Sequence, residues 1–95
     1  IKKNKNVASF DASLLKFPLK IRHWEKGDYF YPFGMKGRKK LSDYFTDHKF
    51  SVFDKESTWI LLSGNDIIWI TGHRADNRYK VTEKTREIVQ IECID

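Results

Sequence analysis

Two uninterrupted apolar runs near the middle of the chain constrain its fold more than any other feature. Residues 59–62 and 67–70 are separated by Ser63, Gly64, Asn65 and Asp66, four residue types that favour turns. Short β-prone runs on both sides of a turn indicate a hairpin. Neither run alternates with polar residues, so both strands are expected to be covered on both faces. The sequence therefore predicts a buried central hairpin.

Weaker patterns predict further strands around this hairpin. In residues 19–24, Leu19, Ile21 and His23 alternate with the other side chains, which predicts a strand with one largely apolar face. Residues 86–94 alternate in the same way and predict a second such strand. Short strands or extended segments are also expected at residues 7–10, 29–33 and 79–81. Turns are expected at residues 11–13, 25–28, 54–57 and 82–85. Residues 72–77 are expected to form a polar loop.

One helix is clearly indicated. Within residues 40–48, Leu41, Tyr44, Phe45 and His48 follow each other at i, i+3, i+4 and i+7, which places them on one face of a helix of two to three turns. Strands dominate the rest of the chain. The predicted class is α+β, mostly antiparallel β, with this single clear amphipathic helix.

The composition is that of a small globular domain. Its 95 residues are 40% hydrophobic, enough for one core but not for two. No apolar run approaches the roughly 18 residues of a membrane span, and no signal peptide is recognised. Cys93 is the only cysteine, which favours a reducing, cytoplasmic location. Because the chain begins at Ile1 without an initiator methionine, we expect it to be part of a longer protein.

The net charge of +5 is unevenly distributed along the chain. Residues 1–49 contain 12 Lys/Arg against 5 Asp/Glu, whereas residues 50–95 contain 6 against 8. A basic half joined to a mildly acidic half is typical of a protein that binds a polyanion on one side. Ordinary solvated surface lysines give the same counts, so charge alone leaves both interpretations open.

No motif for catalysis or metal binding is recognised. No serine lies in a Gly-x-Ser-x-Gly context, and the Walker phosphate-loop pattern is absent. The three histidines stand 25 residues apart, which does not match zinc-ligand spacing, and His48 is expected to be packed and hydrogen-bonded. Cys93 is expected in the core. Four carboxylates are expected in surface charge or helix capping: Asp28, Asp43, Asp47 and Asp76.

A glycine-bracketed basic loop precedes the predicted helix. After Gly34, four cations fall within five residues and no acidic residue interrupts them. Glycines allow close backbone approach, and a helix N-terminus offers unpaired N–H groups that suit a phosphate. Cations are unfavourable beside the positive end of a helix, so their accumulation there favours an anionic ligand. The alternative is a capping turn with solvated lysines. The four cations are Lys36, Arg38, Lys39 and Lys40.

Two sequence blocks resemble the C-terminal domain of the tRNA(Ile)-lysidine synthetases. Residues 21–45 contain Arg-His-Trp, Gly-Asp, Pro-Phe-Gly-Met-Lys-Gly and Lys-Lys-Leu-Ser-Asp in that order, and residues 68–82 contain Gly-His-Arg-Ala-Asp-Asn-Arg-Tyr. The resemblance covers roughly residues 19–92. Tyr29 stands where the family commonly has arginine, which puts one anion contact in doubt. Phe33 stands where it commonly has leucine, which is a packing exchange.

The resemblance implies a compact three-layer domain containing a β-sandwich, akin to a domain of the β-subunit of phenylalanyl-tRNA synthetase. Residues 1–95 would form one C-terminal, tRNA-binding domain, with a leading strand and connector at 1–18 and the body at 19–95. It also implies a bacterial parent enzyme that uses ATP to join lysine to the wobble cytidine of a minor tRNA(Ile). ATP and lysine would belong to an N-terminal domain, so no cofactor and no membrane partner are expected here.

We predict that such a domain holds the tRNA body, near the acceptor stem, through phosphates and shape, because the A-form major groove is too deep and narrow for side chains to read. The rival interpretation is a structural domain that docks on the rest of the enzyme or forms a homodimer.

The main phosphate contacts are predicted at Lys36, Arg38, Lys39 and Lys40, and secondary ones at Arg22, Arg74, Arg78 and Lys80. Arg74 and Arg78 are alternatively tied to Asp76 in a loop-ordering ion pair. Stacking on an unpaired base is predicted for Trp24, Tyr29 and Tyr31, with burial as the alternative for Trp24.

Overall fold

The computed structural model describes residues 4–94, which form eight strands and two short helices. Residues 1–3 of the predicted leading segment and residue 95 of the predicted body lie outside the described residues. Single 3-10 turns lie at Ala12–Leu14 and Asn77–Tyr79. In chain order the other elements are β1 (Val7–Asp11), β2 (Lys20–Arg22), β3 (Tyr29–Phe30), β4 (Lys39–Lys40), α1 (Leu41–Asp47), α2 (Val52–Ser57), β5 (Ile60–Ser63), β6 (Asp66–Ile70), β7 (Arg74–Ala75) and β8 (Ile88–Glu92).

The predicted central hairpin is confirmed as β5 and β6. The two strands pair antiparallel across the turn at Gly64, which has a positive φ of 60°. All of β5 and all but the first residue of β6 are buried. With β2 on one side and β7 on the other, the hairpin forms a four-stranded sheet of order β2-β5-β6-β7. This sheet is the middle layer of the molecule.

Helix α1 covers one face of the sheet. Leu41, Tyr44 and Phe45 are buried against the sheet residues Ile60 and Ile70, as their helical spacing predicts. The helix occupies residues 41–47, within one residue of the predicted span at each end. This layer therefore follows directly from the periodicity of the sequence.

The other face of the sheet is covered by a two-stranded sheet in which β1 pairs antiparallel with β8. Phe10 is fully buried, and its ring meets Trp69 edge-on at 6.5 Å between ring centroids. Val89 and Ile91 pack beside it from β8, and Cys93 joins the same cluster, as their alternation predicts. Helix, sheet and sheet make three layers, which confirms the predicted α+β class with its β-sandwich.

Three local predictions were wrong. Residues 54–57 lie in helix α2, whose start is fixed by a capping box between Ser51 and Asp54. The region 79–81 is not a strand, because Tyr79 ends a 3-10 turn. The predicted polar loop 72–77 contains strand β7 and the fully buried Asp76.

The strand predicted within residues 19–24 is present as β2, and Leu19 of its apolar face packs against the core, but Ile21 of the same face does not. Ile21 is 58% exposed, because β2 lies at the edge of the sheet and β1 and β8 pack over the central strands. Among the described residues, neither helix is long and apolar enough to cross a membrane.

Candidate nucleic-acid interface

The basic loop is held at both ends by the short antiparallel pair of β3 and β4. Tyr29 is opposite Lys40, and Phe30 is opposite Lys39. The Phe30 side chain is fully buried, so it fixes the base of the loop to the core. Between the two strands Gly34 and Gly37 both have positive φ values, 82° and 79°, which a glycine adopts without strain.

Three of the four predicted main contacts extend into solvent. Lys36, Arg38 and Lys40 are exposed, and none of them forms an ion pair within residues 4–94. The Arg38 guanidinium carbon lies 4.6 Å from the centroid of the Tyr29 ring. This stacking limits the side chain's freedom while its N–H groups stay available. The loop therefore presents a cluster of uncompensated positive charge.

Lys39, the fourth predicted contact, is ion-paired within the chain. Its ammonium group forms a salt bridge with Asp47 at the end of α1, and its side chain is only 24% exposed. The hydrogen bond from Lys39, followed by its charge, lowers the pKa of Asp47. Lys39 thus connects β4 to the helix and has less capacity left for an external anion.

The helix start also differs from the expectation. Strand β4 separates the loop from α1, and Lys40 is the N-cap residue without a side-chain cap. The Leu41 N–H donates to the Asp28 carbonyl oxygen at 2.9 Å, which satisfies one of the free N–H groups. One of the N–H groups that the helix start was expected to offer to an anion is therefore already used inside the fold.

Arg22, a predicted secondary contact, is committed to a carboxylate. Its guanidinium donates two hydrogen bonds to Asp28, at 2.9 and 3.0 Å, and the Asp28 side chain is only 12% exposed. Asp28 also accepts a bond from the Glu25 N–H at 2.7 Å. This arrangement orders the turn between β2 and β3, so Arg22 has a structural role in the fold.

Arg78 is held even more firmly. It donates from Nε and Nη2 to the two carboxylate oxygens of the fully buried Asp76, each at 3.0 Å. Asp76 further accepts the Arg78 N–H at 2.7 Å and the Tyr31 N–H at 2.9 Å. The guanidinium carbon lies 4.3 Å from the Tyr31 ring centroid. The alternative of a loop-ordering ion pair with Asp76 is confirmed for Arg78.

The same alternative is not found for Arg74. Its guanidinium donates to the Phe33 carbonyl oxygen at 3.2 Å, which links β7 to the start of the basic loop. Arg74 and the exposed Lys80 line a groove beside that loop rather than the loop itself. The eight predicted contacts thus fall into three open cations in or beside the loop, three ion-paired residues and two groove residues.

The candidate stacking residues also divide. Trp24 is partly buried and meets Phe45 edge-on, at 5.3 Å between centroids, so the burial alternative is confirmed for it. Tyr29 is 41% exposed beneath Arg38. His48 is packed and hydrogen-bonded as predicted: its ring stacks on Tyr44, and Nδ1 lies 2.9 Å from that residue's carbonyl oxygen.

Sequence reasoning missed two basic residues, Lys5 and His73, which line the same groove as Arg74 and Lys80. No local pattern connects Lys5 with them, because about seventy residues separate it from β7 and only the packing of β1 brings it there. Burial, followed by the charges of Lys5 and His48, lowers the pKa of His73. Within residues 4–94, no group of three or more histidine, cysteine or carboxylate side chains is arranged to hold a metal ion.

Comparison with known proteins identifies relatives in one family. The family model described as the TilS substrate C-terminal domain matches residues 19–93. The tRNA(Ile)-lysidine synthase of Parabacteroides distasonis is 56% identical over 89 residues, which make up 94% of this chain and 20% of that protein. That of Bacteroides thetaiotaomicron is 46% identical over 89 residues, 94% of this chain and 21% of that protein. The chain spans about one fifth of the length of these relatives.

Solved structures share the fold at low sequence identity. A crystal structure of a TilS C-terminal domain superposes with a TM-score of 0.79 at 17% identity, over 100% of this chain and 76% of that one. An N-terminal fragment of the phenylalanyl-tRNA synthetase β-subunit from Pyrococcus horikoshii gives a TM-score of 0.73 at 21% identity, over 88% and 26% of the two chains. From the family match and the sequence relatives together, the chain belongs to the C-terminal domain family of the tRNA(Ile)-lysidine synthases.

Proposed function

We propose that this chain is the tRNA-binding accessory domain of a tRNA(Ile)-lysidine synthase and that it holds the tRNA body near the acceptor stem. The whole enzyme would join lysine to the wobble cytidine of a minor tRNA(Ile) at the expense of ATP. In this proposal ATP and lysine are bound by other parts of the enzyme. The present domain contributes affinity and orientation, so that the distant anticodon reaches the catalytic part.

The observation that carries the proposal is the contrast among the cations of one surface region. Arg22, Lys39 and Arg78 are neutralised by carboxylates of the same chain. Lys36, Arg38 and Lys40 have no such partner among the described residues. Lys36 and Arg38 project from the loop between β3 and β4, and Lys40 follows in β4 beside it. Phosphates that bind there release condensed counterions without first breaking an internal ion pair.

The shape of the loop supports contact with the backbone of a double-stranded RNA rather than with its bases. The loop is a short projection between two paired strands, and its glycines carry no side chain that would keep a phosphate at a distance. The major groove of A-form RNA does not admit such a projection, whereas its phosphates are accessible from outside. Recognition at this loop is therefore expected to depend on RNA shape more than on sequence.

A salt titration of tRNA binding tests the proposal. About four phosphate contacts predict that log K falls with log salt with a slope of about −3 to −4. The triple variant Lys36→Ala/Arg38→Ala/Lys40→Ala is expected to reduce the magnitude of that slope by about 2 to 3. The single variant Lys39→Ala is expected to reduce it by less than one, because Lys39 is already paired with Asp47. Filter binding or fluorescence anisotropy provides the measurement.

A matched control removes the same charge from elsewhere on the surface. Lys16, Lys20 and Lys84 are exposed and lie outside the basic loop, so their triple alanine variant lowers the net charge equally. If both triple variants lose the same affinity, binding depends on net charge and the loop assignment is wrong. If the wild-type chain ignores tRNA but self-associates in sedimentation experiments, the docking or dimerisation role replaces the proposal.

A further inference from the structure

A second basic feature lies next to the loop. A groove of about 780 Å³ runs along strand β7 and is bounded by the chain before and within β1 and by the start of the basic loop. Phe33 and Gly34 belong both to its wall and to the base of that loop. The groove and the loop are therefore adjacent, and a single extended ligand can contact both.

The rim of the groove is cationic. Lys5, Arg74 and Lys80 line it and form no ion pair within the described part of the chain. Asp76 also lines it, but this carboxylate is fully buried and accepts bonds from Arg78 and Tyr31. The uncompensated charge of the rim is thus positive, and it suits phosphate groups spaced along a chain.

Much of the lining of the groove is apolar. Phe33 is 46% exposed and Val81 is 38% exposed, while Val7, Trp69 and Ala75 contribute further apolar surface. The groove is also much larger than one phosphate requires, and its volume lies in the range of sites for small organic ligands. Apolar surface beside cationic side chains matches a nucleotide, whose base is flat and weakly polar and whose phosphate is charged.

We propose that this groove binds unpaired nucleotides of the RNA that the basic loop holds, with bases against Phe33 and Val81 and phosphates on Lys5, Arg74 and Lys80. This inference rests on the proposed function, because it assumes that a tRNA is already bound at the loop. The acceptor stem of a tRNA ends in an unpaired 3′ tail, so a stem at the loop and a tail in the groove are continuous parts of one molecule. Two of the groove residues, Lys5 and Val7, lie outside residues 19–93, the part of the chain that the family model matches.

A short single strand tests the groove without tRNA. His73 lines the groove, and its neighbours are the charged groups Lys5, His48 and Asp54 and the ring of Phe50. A four-nucleotide single-stranded RNA titrated into the isotope-labelled 95-residue chain is expected to shift the imidazole signals of His73 and to raise its pKa. His23, which stacks on Trp59 and does not line the groove, is expected to stay unchanged. An unresponsive His73 at saturating RNA overturns the proposal.

A pair of tRNA molecules tests the same groove in its proposed context. Wild-type chain is expected to bind tRNA with its 3′ tail about 5- to 100-fold more tightly than tRNA lacking the four unpaired nucleotides. The variant Lys5→Ala/Lys80→Ala/Val81→Ala, whose residues all lie outside the basic loop, is expected to bind both forms equally and to retain the salt-sensitive affinity that the loop provides. A variant with the same charge change, Lys16→Ala/Lys84→Ala, is expected to keep the preference for the tail.

The outcomes separate the two proposals. A wild-type chain without preference for the tail, or a groove variant that keeps this preference, overturns the groove assignment while loop-dependent tRNA binding stands. A tRNA affinity that is insensitive to the loop substitutions overturns the proposed function. In that case the single-strand titration still decides whether the groove binds unpaired nucleotides.

Discussion

Two arginine–tyrosine pairs stand side by side on one surface of the molecule and differ in their carboxylate partners. Arg38 lies over Tyr29 at 4.6 Å, and Arg78 lies over Tyr31 at 4.3 Å. The two tyrosines meet edge-on at 6.2 Å between ring centroids. Arg78 also binds the buried Asp76 through two hydrogen bonds, whereas Arg38 makes no ion pair within the described residues.

A buried carboxylate, rather than the arginine or its stacking partner, therefore decides which of these two cations is structural. If a guanidinium leaves a fully desolvated carboxylate, the carboxylate stays behind as an unpaired buried charge, which costs several kcal/mol. A stacked guanidinium without such a partner keeps its donors for a ligand. The two pairs therefore predict opposite phenotypes, one in stability and one in RNA binding.

Replacement of Asp76 is expected to have the largest effect on the free energy of unfolding. Replacement by alanine leaves Arg78 without its main partner and the Tyr31 N–H without its acceptor, so we expect a loss of about 3–5 kcal/mol in the free energy of unfolding. Denaturant titration measures this loss. The exposed Glu83, changed to alanine, is expected to stay within about 0.5 kcal/mol of the wild type. A loss below about 1 kcal/mol for Asp76→Ala would remove the basis of the comparison.

The two arginines themselves provide the next test. Arg78→Ala leaves the fully buried Asp76 carboxylate without its guanidinium partner, so a loss of about 3 kcal/mol in unfolding free energy is expected. Arg38→Ala removes an exposed side chain with one stacking contact, and less than about 0.5 kcal/mol is expected. Equal losses for the two variants contradict the division into structural and ligand-facing arginines.

The sequence predicted the layers of this fold better than the assignment of its charges. The central hairpin, helix α1 and the alternation of β8 follow from the spacing of apolar residues, and all three are present. The capping box of α2 was also readable, because Ser51 and Asp54 stand at the required spacing, but the turn prediction ignored it. These features depend on neighbours in the chain.

The charges depend on contacts between distant segments. Asp76 binds the backbone of Tyr31, which lies 45 residues earlier, and Lys39 reaches Asp47 across the length of helix α1. Lys5 reaches the groove only because β1 pairs with β8. Local spacing therefore identified the basic loop as a candidate site, but only the tertiary structure could separate its open cations from the paired ones.

Substitutions of Arg38 are expected to affect RNA binding rather than stability. Arg38→Ala is expected to lower the magnitude of the salt slope for tRNA binding by about 1, because one phosphate contact is lost. Arg38→Lys is expected to recover most of the slope, since the charge is kept, but not the bidentate geometry. Anisotropy titrations at several salt concentrations separate these outcomes. An unchanged slope for Arg38→Ala would place the phosphate contacts elsewhere on the surface.

The smallest expected effect concerns a cation whose charge depends on pH. Burial and the positive charges of Lys5 and His48 lower the pKa of His73 in the folded chain below its ordinary value of 6.5. The unfolded chain therefore binds the proton more readily, and this residue makes the free energy of unfolding decrease as the pH falls below about 6.5. Unfolding measured from pH 7.5 to 5 is expected to show a steeper decline for the wild type than for His73→Gln.

The same measurement connects His73 to its neighbours. Lys5→Ala removes one of the charges that lower the His73 pKa, so its pH dependence is expected to be weaker than that of the wild type. His23→Gln is the matched control, because His23 lies away from the groove and its loss leaves the contribution of His73 in place. If His73→Gln declines more steeply than the wild type, the folded state favours protonated His73. The imidazole would then carry a positive charge beside Arg74 and Lys80. His73 would in that case belong with the cations that have no carboxylate partner.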